Sequence, residues 1–567
     1  MMSTTTPRRP RRRLHVVTAL GLLAIALAGL TGSAATPRFF PDDPIAREPD
    51  PRDASKVQDF PTHLSWDIIS SLFANEGDPV TRAAMNVNTV GEVPDSSWFA
   101  NRAGSRPLTD ADVARGPDTS DGPAPGRWAV VSGKAEGVRP GFTIKDTAGI
   151  TWFLKFDPPG YPEQATSAEV VSTKLFWALG YHVAETHVAD LRRENLVLDP
   201  AAHITVNGKR RALTQGDITR VLVRAERNEN GSYRAIASRQ LDGKPVGEFL
   251  YYGTRSDDPN DVVPHEHRRE LRGMVAAAAW IDRVDAKAGN TLDTLVREGG
   301  HTVVRHHVLD FGSTLGSAGI GPNDIWEGHD YLYSGKDTAR RMFLLGFPVP
   351  SWRRESYPSL RGIGRLEAKS FDPAAWKSRV PNAAYVRADA NDLFWAATKI
   401  MAISDSMIAA AVKSGHYSDP NAERFLTETL ITRRDAIGRA FLPAVNPVGE
   451  ATLDASGTLR FTNAAVVYGF AAAPAGYTTV WSAFDNATAE RGAIIGTGDG
   501  SATGIAAPGP LPTAPGAFIQ VDVSIADPAH PAWASPVRLH FRRDQAAWTL
   551  VGLDRVPAES RSSSRTR

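Results

Sequence analysis

Short apolar runs separated by turn residues dominate the stretch that begins at Trp128, and they predict antiparallel strands rather than helices. Three strands are predicted, at 128–131, 142–144 and 151–156. The second and third flank turn-forming residues at 146–149, so we expect them to form a hairpin. The pattern then takes the period of a helix over 166–179, and Gly180 is expected to end this helix.

The following segment mixes both patterns. Strands are predicted at 182–188 and 221–225. A helix rich in arginine and then alanine is predicted over 265–281, and a strand is predicted over 303–309. A second block with helical periodicity runs over 389–442. Together these elements predict an α+β fold.

Beyond Pro447 the helical periodicity disappears and short apolar runs return. Strands are predicted at 458–461, 466–470, 477–482, 518–525, 537–542 and 548–553. Residues 495–516 are rich in Gly, Pro and Ala, which predicts a loop. We therefore expect a separate all-β, sandwich-like domain over 447–557, followed by a Ser- and Arg-rich tail over 558–567 without fixed structure.

Length and composition restrict the classes of protein that this chain represents. At 567 residues it is too long for one ordinary hydrophobic core, so two or three domains are expected. Its formal net charge of +1 gives no reason to expect nucleic acid as a partner. It contains no cysteine, which excludes disulfides, thiolate metal sites and cysteine nucleophiles.

The N-terminus has the order of residue types found in export signals. Five arginines within 8–13 precede a charge-free apolar run over 16–30, and small residues follow at 32–35. We therefore predict an export signal over 1–35 and an extracytoplasmic location for the rest of the chain, either periplasmic, secreted or anchored and facing outward. The alternative is an uncleaved N-terminal membrane anchor, for which an apolar run of this length is marginal.

Two short groups of residues in the middle of the chain carry the clearest chemical signal. Asp285, Lys287 and Asn290 have the spacing D-x-K-x-x-N. Asp310-Phe311-Gly312 follows twenty residues after Asn290. Carboxylate and amide oxygens are the ligands that Mg²⁺ prefers in proteins. The two groups in this order are far less expected by chance than either group alone.

This pair of motifs resembles the catalytic loop and the metal-binding motif of the protein-kinase-like superfamily, and it is similar to atypical branches such as the HipA-like, spore-coat and secretory-pathway kinases. The resemblance implies that Asp285 orients an acceptor hydroxyl and accepts its proton, and that Lys287 balances charge on the phosphoryl group. It also implies that Asn290 and Asp310 bind Mg²⁺.

The same resemblance implies an architecture. The α+β fold would be a two-lobed protein-kinase-like core over 128–446, preceded by an N-terminal extension over 36–127 and followed by the sandwich-like β domain as an accessory. Lys155, in a predicted strand, would reach the phosphates of ATP, and Glu169, on the next helix, would pair with Lys155. Gly133 and Gly137 are candidates for a loop that covers the phosphates. The implied cofactors are ATP and Mg²⁺.

The sequence departs from the family pattern at several points, and other interpretations stay open. No G-x-G-x-x-G motif is present, and the His-Arg that usually precedes the catalytic aspartate is absent. Asp282-Arg283 is similar to the D-R-H motif of lipid kinases, but that register places Lys287 where an asparagine is required, so Asp285 is preferred. Each candidate residue is also common in an ordinary turn or on an exposed face. The acidic turn over 257–261 is a weaker candidate for a cation site.

The function expected from the sequence is phosphoryl transfer from Mg-ATP to an acceptor, which could be a protein, a glycan or a small molecule. One alternative is a catalytically silent exported protein that uses the same fold for binding or as a scaffold. Another is transfer of the nucleotidyl group on that fold. The chain keeps candidates for the lysine, the catalytic aspartate and the metal-binding aspartate, which argues against the silent alternative.

Overall fold

The computed structural model describes residues 36–60, 64–74, 76–80, 82–134, 141–206, 209–344, 347 and 349–555. The predicted export signal, the predicted C-terminal tail and Gly137 lie outside the described residues. Within the described part, no single helix has the length and apolar character to cross a membrane. One pair, Ala390–Met401 with Asp405–Lys413, meets these criteria together but bends by 74° between its helices.

The fold is mixed α+β, as the sequence predicts, and its largest element is a seven-stranded sheet. The strands are β1 (Trp128–Lys134), β2 (Gly141–Lys145), β3 (Thr151–Phe156), β4 (Thr186–Leu191), β5 (Leu196–Val206), β6 (Lys209–Ala212) and β7 (Tyr233–Arg239). They lie in the order β4-β7-β3-β2-β1-β5-β6. Neighbouring strands are antiparallel except for β1 and β5, which run parallel.

The predicted hairpin is present as β2 and β3, and one carboxylate holds its turn. Asp146 Oδ1 accepts the backbone N–H groups of Ala148 at 3.0 Å and Ile150 at 2.9 Å. Asp146 Oδ2 accepts the indole N–H of Trp152 at 2.9 Å. Every second side chain of β3 is buried in the sheet's core, which leaves Lys155 on the opposite face of the strand.

Replacement of Asp146 by Ala is expected to destabilise the protein by roughly 2–4 kcal/mol, because several N–H groups lose their acceptor at once. Burial raises the pKa of Asp146, but hydrogen bonds from Ala124, Ile150 and Trp152 outweigh it, so the pKa is lowered in the folded chain. This stabilisation is therefore complete above the ordinary pKa of an aspartate and is lost as the pH falls through the lowered value. Denaturant unfolding at neutral and acidic pH measures both effects.

Asp190→Ala is the matched control, because Asp190 is exposed on β4 of the same sheet. Its free energy of unfolding should stay within about 0.5 kcal/mol of the parent. If the Asp146 and Asp190 variants were equally stable, the hairpin turn would not depend on the Asp146 carboxylate.

Ten helices are described: α1 (Leu64–Phe73), α2 (Asp110–Arg115), α3 (Gln164–Leu179), α4 (Gln215–Val223), α5 (Arg269–Trp280), α6 (Gly335–Phe343), α7 (Ala390–Met401), α8 (Asp405–Lys413), α9 (Pro420–Phe441) and α10 (Ala464–Val467). Helix α3 is buried along nearly its whole length and contacts β3, β4 and β7. Gly180 ends this helix, as predicted, with a φ of +121°. A Cβ at this position would overlap the Phe99 ring, so only glycine fits.

The second half of the chain is organised around helices α5 and α7–α9, whose buried side chains belong to one large hydrophobic cluster. A small antiparallel sheet has one strand before helix α5 and two strands after it. Its strands are β8 (Lys244–Pro245), β9 (Thr291–Glu298) and β10 (His301–Val308). The predicted helices over 265–281 and 389–442 and the predicted strand over 303–309 are therefore confirmed, with the 389–442 block divided into three helices.

The C-terminal part is rich in strands, as predicted. They are β11 (Val448–Leu453), β12 (Thr458–Asn463), β13 (Tyr477–Asp485), β14 (Glu490–Gly500), β15 (Ile505–Ala506), β16 (Phe518–Ser524), β17 (Val537–Asp544) and β18 (Ala547–Arg555). They form a three-stranded sheet, β11-β12-β15, and a five-stranded sheet, β14-β13-β16-β17-β18. Their buried side chains join the cluster of α7–α9, and the Arg555 guanidinium lies 4.3 Å from the centroid of the Phe394 ring on α7. The sandwich-like arrangement stays a prediction.

Three predictions of secondary structure are wrong. Residues 221–225 lie at the end of helix α4 and beyond it, because Thr214 and Asp217 form a capping box that starts a helix with a buried apolar face. Residues 466–470 begin inside helix α10 rather than in a strand. The expected loop over 495–516 begins within β14, whose pairing with β13 extends the strand to Gly500.

Candidate functional site

A cavity of about 460 Å³ lies between the seven-stranded sheet and the β9–β10 hairpin, a volume typical of small-molecule sites. The sheet, helix α3 and the segment after β10 all contribute to its walls. The residues concerned include Gly133, Gly141, Leu154, Lys155, Glu169, Thr173, Leu309, Asp310 and Phe311. The segment 238–241, which leads from β7 towards β8, closes another side. Four of the residues predicted to bind nucleotide or metal, Gly133, Lys155, Glu169 and Asp310, therefore line one cavity.

Within this cavity, Lys155 forms an ion pair with the Asp310 carboxylate. Its Nζ atom is 3.1 Å from Asp310 Oδ1, and its side chain is 23% exposed. The ammonium group is thus partly shielded from water and fixed beside the start of the Asp310-Phe311-Gly312 motif. A lysine in this position can act on an anion that enters the cavity.

Asp310 adopts an uncommon backbone conformation at the end of β10. Its φ is +58°, in the left-handed region that few residues other than glycine, asparagine and aspartate adopt readily. Non-glycine residues in this region concentrate at functional sites. The conformation sharply redirects the chain after Val308 and leaves the Asp310 carboxylate in the cavity wall.

Glu169, on helix α3, fixes the backbone of the same motif. Its side chain is almost fully buried, and Oε1 accepts the backbone N–H of Phe311 at 3.0 Å. The Phe311 ring packs against Phe176, two helical turns after Glu169 on α3, with ring centroids 4.8 Å apart. Helix α3 therefore positions the residue that follows Asp310. The predicted pairing of Glu169 with Lys155 stays a prediction.

The predicted catalytic loop brings its three polar residues together around one carboxylate. Asp285 Oδ2 lies 2.9 Å from Lys287 Nζ and accepts the Asn290 side-chain N–H at 3.1 Å. The same Asn290 nitrogen donates to the Asp285 carbonyl at 2.6 Å. Arg379 adds a second cation, with Nη1 3.6 Å from Asp285 Oδ1. Burial raises the pKa of Asp285, but Lys287 and then Arg379 outweigh it, so the pKa is lowered and the carboxylate is ionised at neutral pH.

If Asp285 acts as the predicted general base, replacement of Lys287 by Met is expected to shift the acid limb of the kcat/KM profile to higher pH. Lys287 is the largest influence that lowers the pKa of Asp285, so its removal raises that pKa. A general base acts as the carboxylate, and a higher pKa means that activity is lost at a higher pH on acidification. The measurement is kcat/KM for phosphotransfer between about pH 4 and pH 8.

Lys413→Met is the control for this profile, because Lys413 is exposed at the end of helix α8. It should leave the acid limb in place. An acid limb that did not move in the Lys287 variant would mean that Asp285 does not govern that limb.

Arg283 joins the predicted catalytic loop to the segment after β10 that carries Asp310. The Leu309 N–H donates to the Asn290 carbonyl at 2.9 Å, which places Asp310 one residue from the loop. Arg283 is buried, and its Nη2 donates to the carbonyls of Leu309 at 3.0 Å and Asn290 at 3.4 Å. Its guanidinium also lies 5.1 Å from the centroid of the Phe311 ring. Arg283 is therefore a positioning residue. No motif in the sequence indicated this role.

Sequence reasoning missed two further residues near Asp285. Arg379 was not singled out, because it lies far beyond both motifs in the chain. The residues around it form no motif that would predict a contact with Asp285. Asp67 lies on helix α1 of the N-terminal extension, which packs against residues Ala288–Asn290 of the predicted catalytic loop. Burial raises the pKa of Asp67. The extension therefore takes part in the site rather than only preceding it.

The alternative register based on Asp282 is disfavoured by its surroundings. Asp282 is buried, where Oδ1 accepts the indole N–H of Trp376 at 3.0 Å and Oδ2 accepts the Asn323 side-chain N–H at 2.9 Å. Neither Asp282 nor Asp285 lines the 460 Å³ cavity. The preference for Asp285 rests on its contacts with Lys287 and Asn290, since Asp282 is engaged by structural donors instead.

Asn290 and Asp310 have the chemistry that the predicted magnesium site requires. Both supply hard oxygen donors, and the bond between Leu309 and Asn290 holds them close together. No group of three or more His, Cys, Asp or Glu side chains able to hold a metal occurs within the described ranges. A site of this kind therefore needs further oxygen ligands from nucleotide phosphates and water, which is how Mg²⁺ usually binds beside a nucleotide.

The other candidates have simpler roles. Gly133 lies in β1, where a Cβ would overlap Leu213, so it is required for packing as well as lining the cavity. The acidic turn over 257–261 is engaged by protein groups, with Asp257 Oδ1 3.1 Å from Arg255 and Asp261 Oδ2 2.7 Å from His265. These contacts favour an ordinary structural turn over a cation site.

No protein-family model matches this chain, and no curated protein sequence matches it. Two solved structures are similar at a low level. The proinflammatory kinase CtkA of Helicobacter pylori is 13% identical over 53% of this chain and 91% of that chain, with a TM-score of 0.27. The Golgi casein kinase is 11% identical over 70% of this chain and 96% of that chain, with a TM-score of 0.27. A likeness at this level carries no functional argument, so the assignments depend on the contacts of the site.

Proposed function

We propose that this protein is a kinase-like phosphotransferase that binds Mg-ATP in the 460 Å³ cavity and transfers the γ-phosphoryl group to a hydroxyl beside Asp285. The observation that carries the proposal is that Lys155, Glu169 and Asp310, from three separate elements, line the same cavity. Phosphoryl transfer depends mainly on positioning and on stabilisation of charge, and a lysine with adjacent oxygen ligands supplies both.

Each residue has a defined part in this proposal. Lys155 binds the phosphates, and Glu169 keeps the backbone after Asp310 in place through its bond to Phe311. Asn290 and Asp310 would hold Mg²⁺, which neutralises charge on the phosphates when it is bound.

Asp285 accepts the proton of the acceptor hydroxyl. The acceptor oxygen forms a bond to the γ-phosphorus while the bond from that phosphorus to the bridging oxygen breaks, and ADP leaves. Lys287, 2.9 Å from Asp285, lies where it can balance charge on the transferred group.

The proposed core has two lobes. The seven-stranded sheet with helix α3 forms one lobe, and helices α5 and α7–α9 form the other. The segment 238–245 connects them beside the cavity. The strand-rich C-terminal part is proposed as an accessory domain, and the N-terminal residue pattern supports export of the whole chain.

Incubation of the full mature chain with Mg²⁺ and ATP labelled at either the γ- or the α-phosphorus tests the proposal. Movement of the γ label to protein, added acceptor or water is expected. Movement of the α label would instead indicate nucleotidyl transfer. If neither label moved although ATP bound, the protein would be a silent binding protein, and the proposed chemistry would be wrong.

A further inference from the structure

A second cavity, of about 180 Å³, is built mainly from the segment that follows the Asp310-Phe311-Gly312 motif. Its walls come from residues between 323 and 376, together with Asp282 and Arg433. It shares no lining residue with the 460 Å³ cavity. Its volume is below the usual range for a drug-sized ligand and suits a single functional group or side chain.

Negative charge exceeds positive charge in this small space. The carboxylates that line it are Asp282, Asp324, Glu327, Glu367 and Asp372. Two guanidinium groups, of Arg365 and Arg433, also line it. The hydrogen bonds described for these two arginines go to backbone carbonyl oxygens rather than to the carboxylates. Glu327 is paired with Arg379, and burial raises the pKa of Asp282. The remaining carboxylates, of Asp324, Glu367 and Asp372, still outnumber the two guanidinium groups, which favours a cationic ligand.

A buried acceptor in the cavity wall lacks a donor. Asn323 is 3% exposed, and its Nδ2 donates to Asp282 Oδ2 at 2.9 Å. Its Oδ1 atom has no hydrogen-bond partner among the residues that the structure describes. An unmet buried acceptor costs free energy, which a donor on a ligand would recover. This observation is independent of the acidic cluster and calls for a hydrogen-bond donor on the ligand.

Aromatic rings form much of the remaining wall, from Trp352, Tyr357, Phe371 and Trp376. One of them already holds a guanidinium group, since Arg433 lies 3.7 Å from the centroid of the Phe371 ring. Cations bind favourably over aromatic faces, and the effect increases when water is excluded. The wall thus combines the two features that bind organic cations, carboxylates and aromatic faces.

The cavity is connected to the proposed catalytic aspartate through one side chain. Glu327, in the cavity wall, lies 2.5 Å from Arg379 Nη2. Arg379 Nη1 lies 3.6 Å from Asp285 Oδ1. Two ion pairs therefore link this cavity to Asp285, while the cavity shares no lining residue with the proposed nucleotide site.

We propose that this cavity binds an organic cation, an ammonium or guanidinium group, carried by the acceptor of the phosphoryl group. The acceptor part of this inference, that the phosphoryl acceptor carries the cation, rests on the proposed function. The binding part, that the cavity binds an organic cation, does not. A neutral polyol could donate to Asn323 Oδ1 but would leave the carboxylate charge unbalanced, and an anion would be repelled.

Calorimetric titration of the full chain with agmatine, which carries both a guanidinium and an ammonium group, tests the binding part without nucleotide. D-glucose is the neutral probe. The variant is Asp324→Asn combined with Glu367→Gln, which removes two carboxylate charges at positions that are not fully buried. The matched control is Asp499→Asn combined with Glu428→Gln, two exposed positions that do not line the cavity.

Agmatine should bind the parent and the control equally, bind the cavity variant at least about tenfold more weakly, and lose affinity as salt is added. Glucose should not bind detectably. The thermal unfolding midpoint without ligands should agree within a few degrees among all three proteins, which shows that the cavity variant is folded. Equal agmatine affinity in the cavity variant and the parent, or absence of agmatine binding to the parent, would overturn the cation site.

The acceptor part is tested with two hydroxyl-bearing peptides, Arg-Arg-Ser and Ala-Ala-Ser, as phosphoryl acceptors. The arginine peptide should be preferred at least about tenfold by the parent, and the cavity variant should lose most of this preference. Agmatine binding without any transfer of the γ label would refute the proposed function and the acceptor role while supporting a cation site. Equal use of both peptides would overturn the acceptor role alone.

Discussion

Replacement of Asp285 by Asn is expected to lower the rate of phosphotransfer by roughly two to four orders of magnitude, the usual effect of removing a general base. The substitution changes charge with little change in volume. Affinity for ATP should change little, because Lys155 and Asp310 line the cavity independently of Asp285. The measurement is single-turnover transfer of the γ label, together with ATP affinity by calorimetry.

Asp190→Asn is the control for this experiment, since Asp190 is exposed on β4 away from the cavity. It should transfer the label at the parent rate. An Asp285 variant within about tenfold of the parent would show that Asp285 is not the base, because even modest general-base effects exceed that factor.

Replacement of Asp310 by Asn is expected to abolish the stabilisation of the protein by Mg-ATP. Asparagine tolerates the left-handed φ of +58° at this position, so the backbone should be preserved while the charged metal ligand is lost. ATP at one hundred times its dissociation constant should stabilise the parent by about 2.7 kcal/mol. Thermal unfolding with and without Mg²⁺ and ATP measures the difference.

The response to Mg²⁺ separates a metal-site defect from general unfolding. Without ligands, the Asp310 variant should unfold within a few degrees of the parent and of Asp190→Asn, since no buried group is left without a partner. A Mg-dependent ATP shift that remained at the parent value would remove Asp310 from the metal site, and with it the main support for the proposed nucleotide cavity.

Much of the fold near the site followed from local patterns. The hairpin that carries Lys155, the helix that carries Glu169 and its end at Gly180 were predicted because alternation, helical period and a glycine stop are local signals. Helix α4 was missed because the β-branched residues near its end resemble a strand, although the capping box at Thr214 and Asp217 was present in the sequence.

The residues of the site were partly predictable, but their contacts were not. The order of Lys155, Glu169 and Asp310 along the chain suggested one site, yet the ion pair of Lys155 with Asp310 depends on how the sheet faces the end of β10. Arg283 and Arg379 act through contacts between distant segments, and spacing along the sequence carries no signal for these.

The most direct test of the central claim is the structure of the full chain with Mg²⁺ and a non-hydrolysable ATP analogue. The account predicts that the analogue occupies the 460 Å³ cavity, with Lys155 on its phosphates and the metal held by Asn290 and Asp310. An analogue bound elsewhere, or phosphates out of reach of these three residues, would contradict the assignment of this cavity as the nucleotide site.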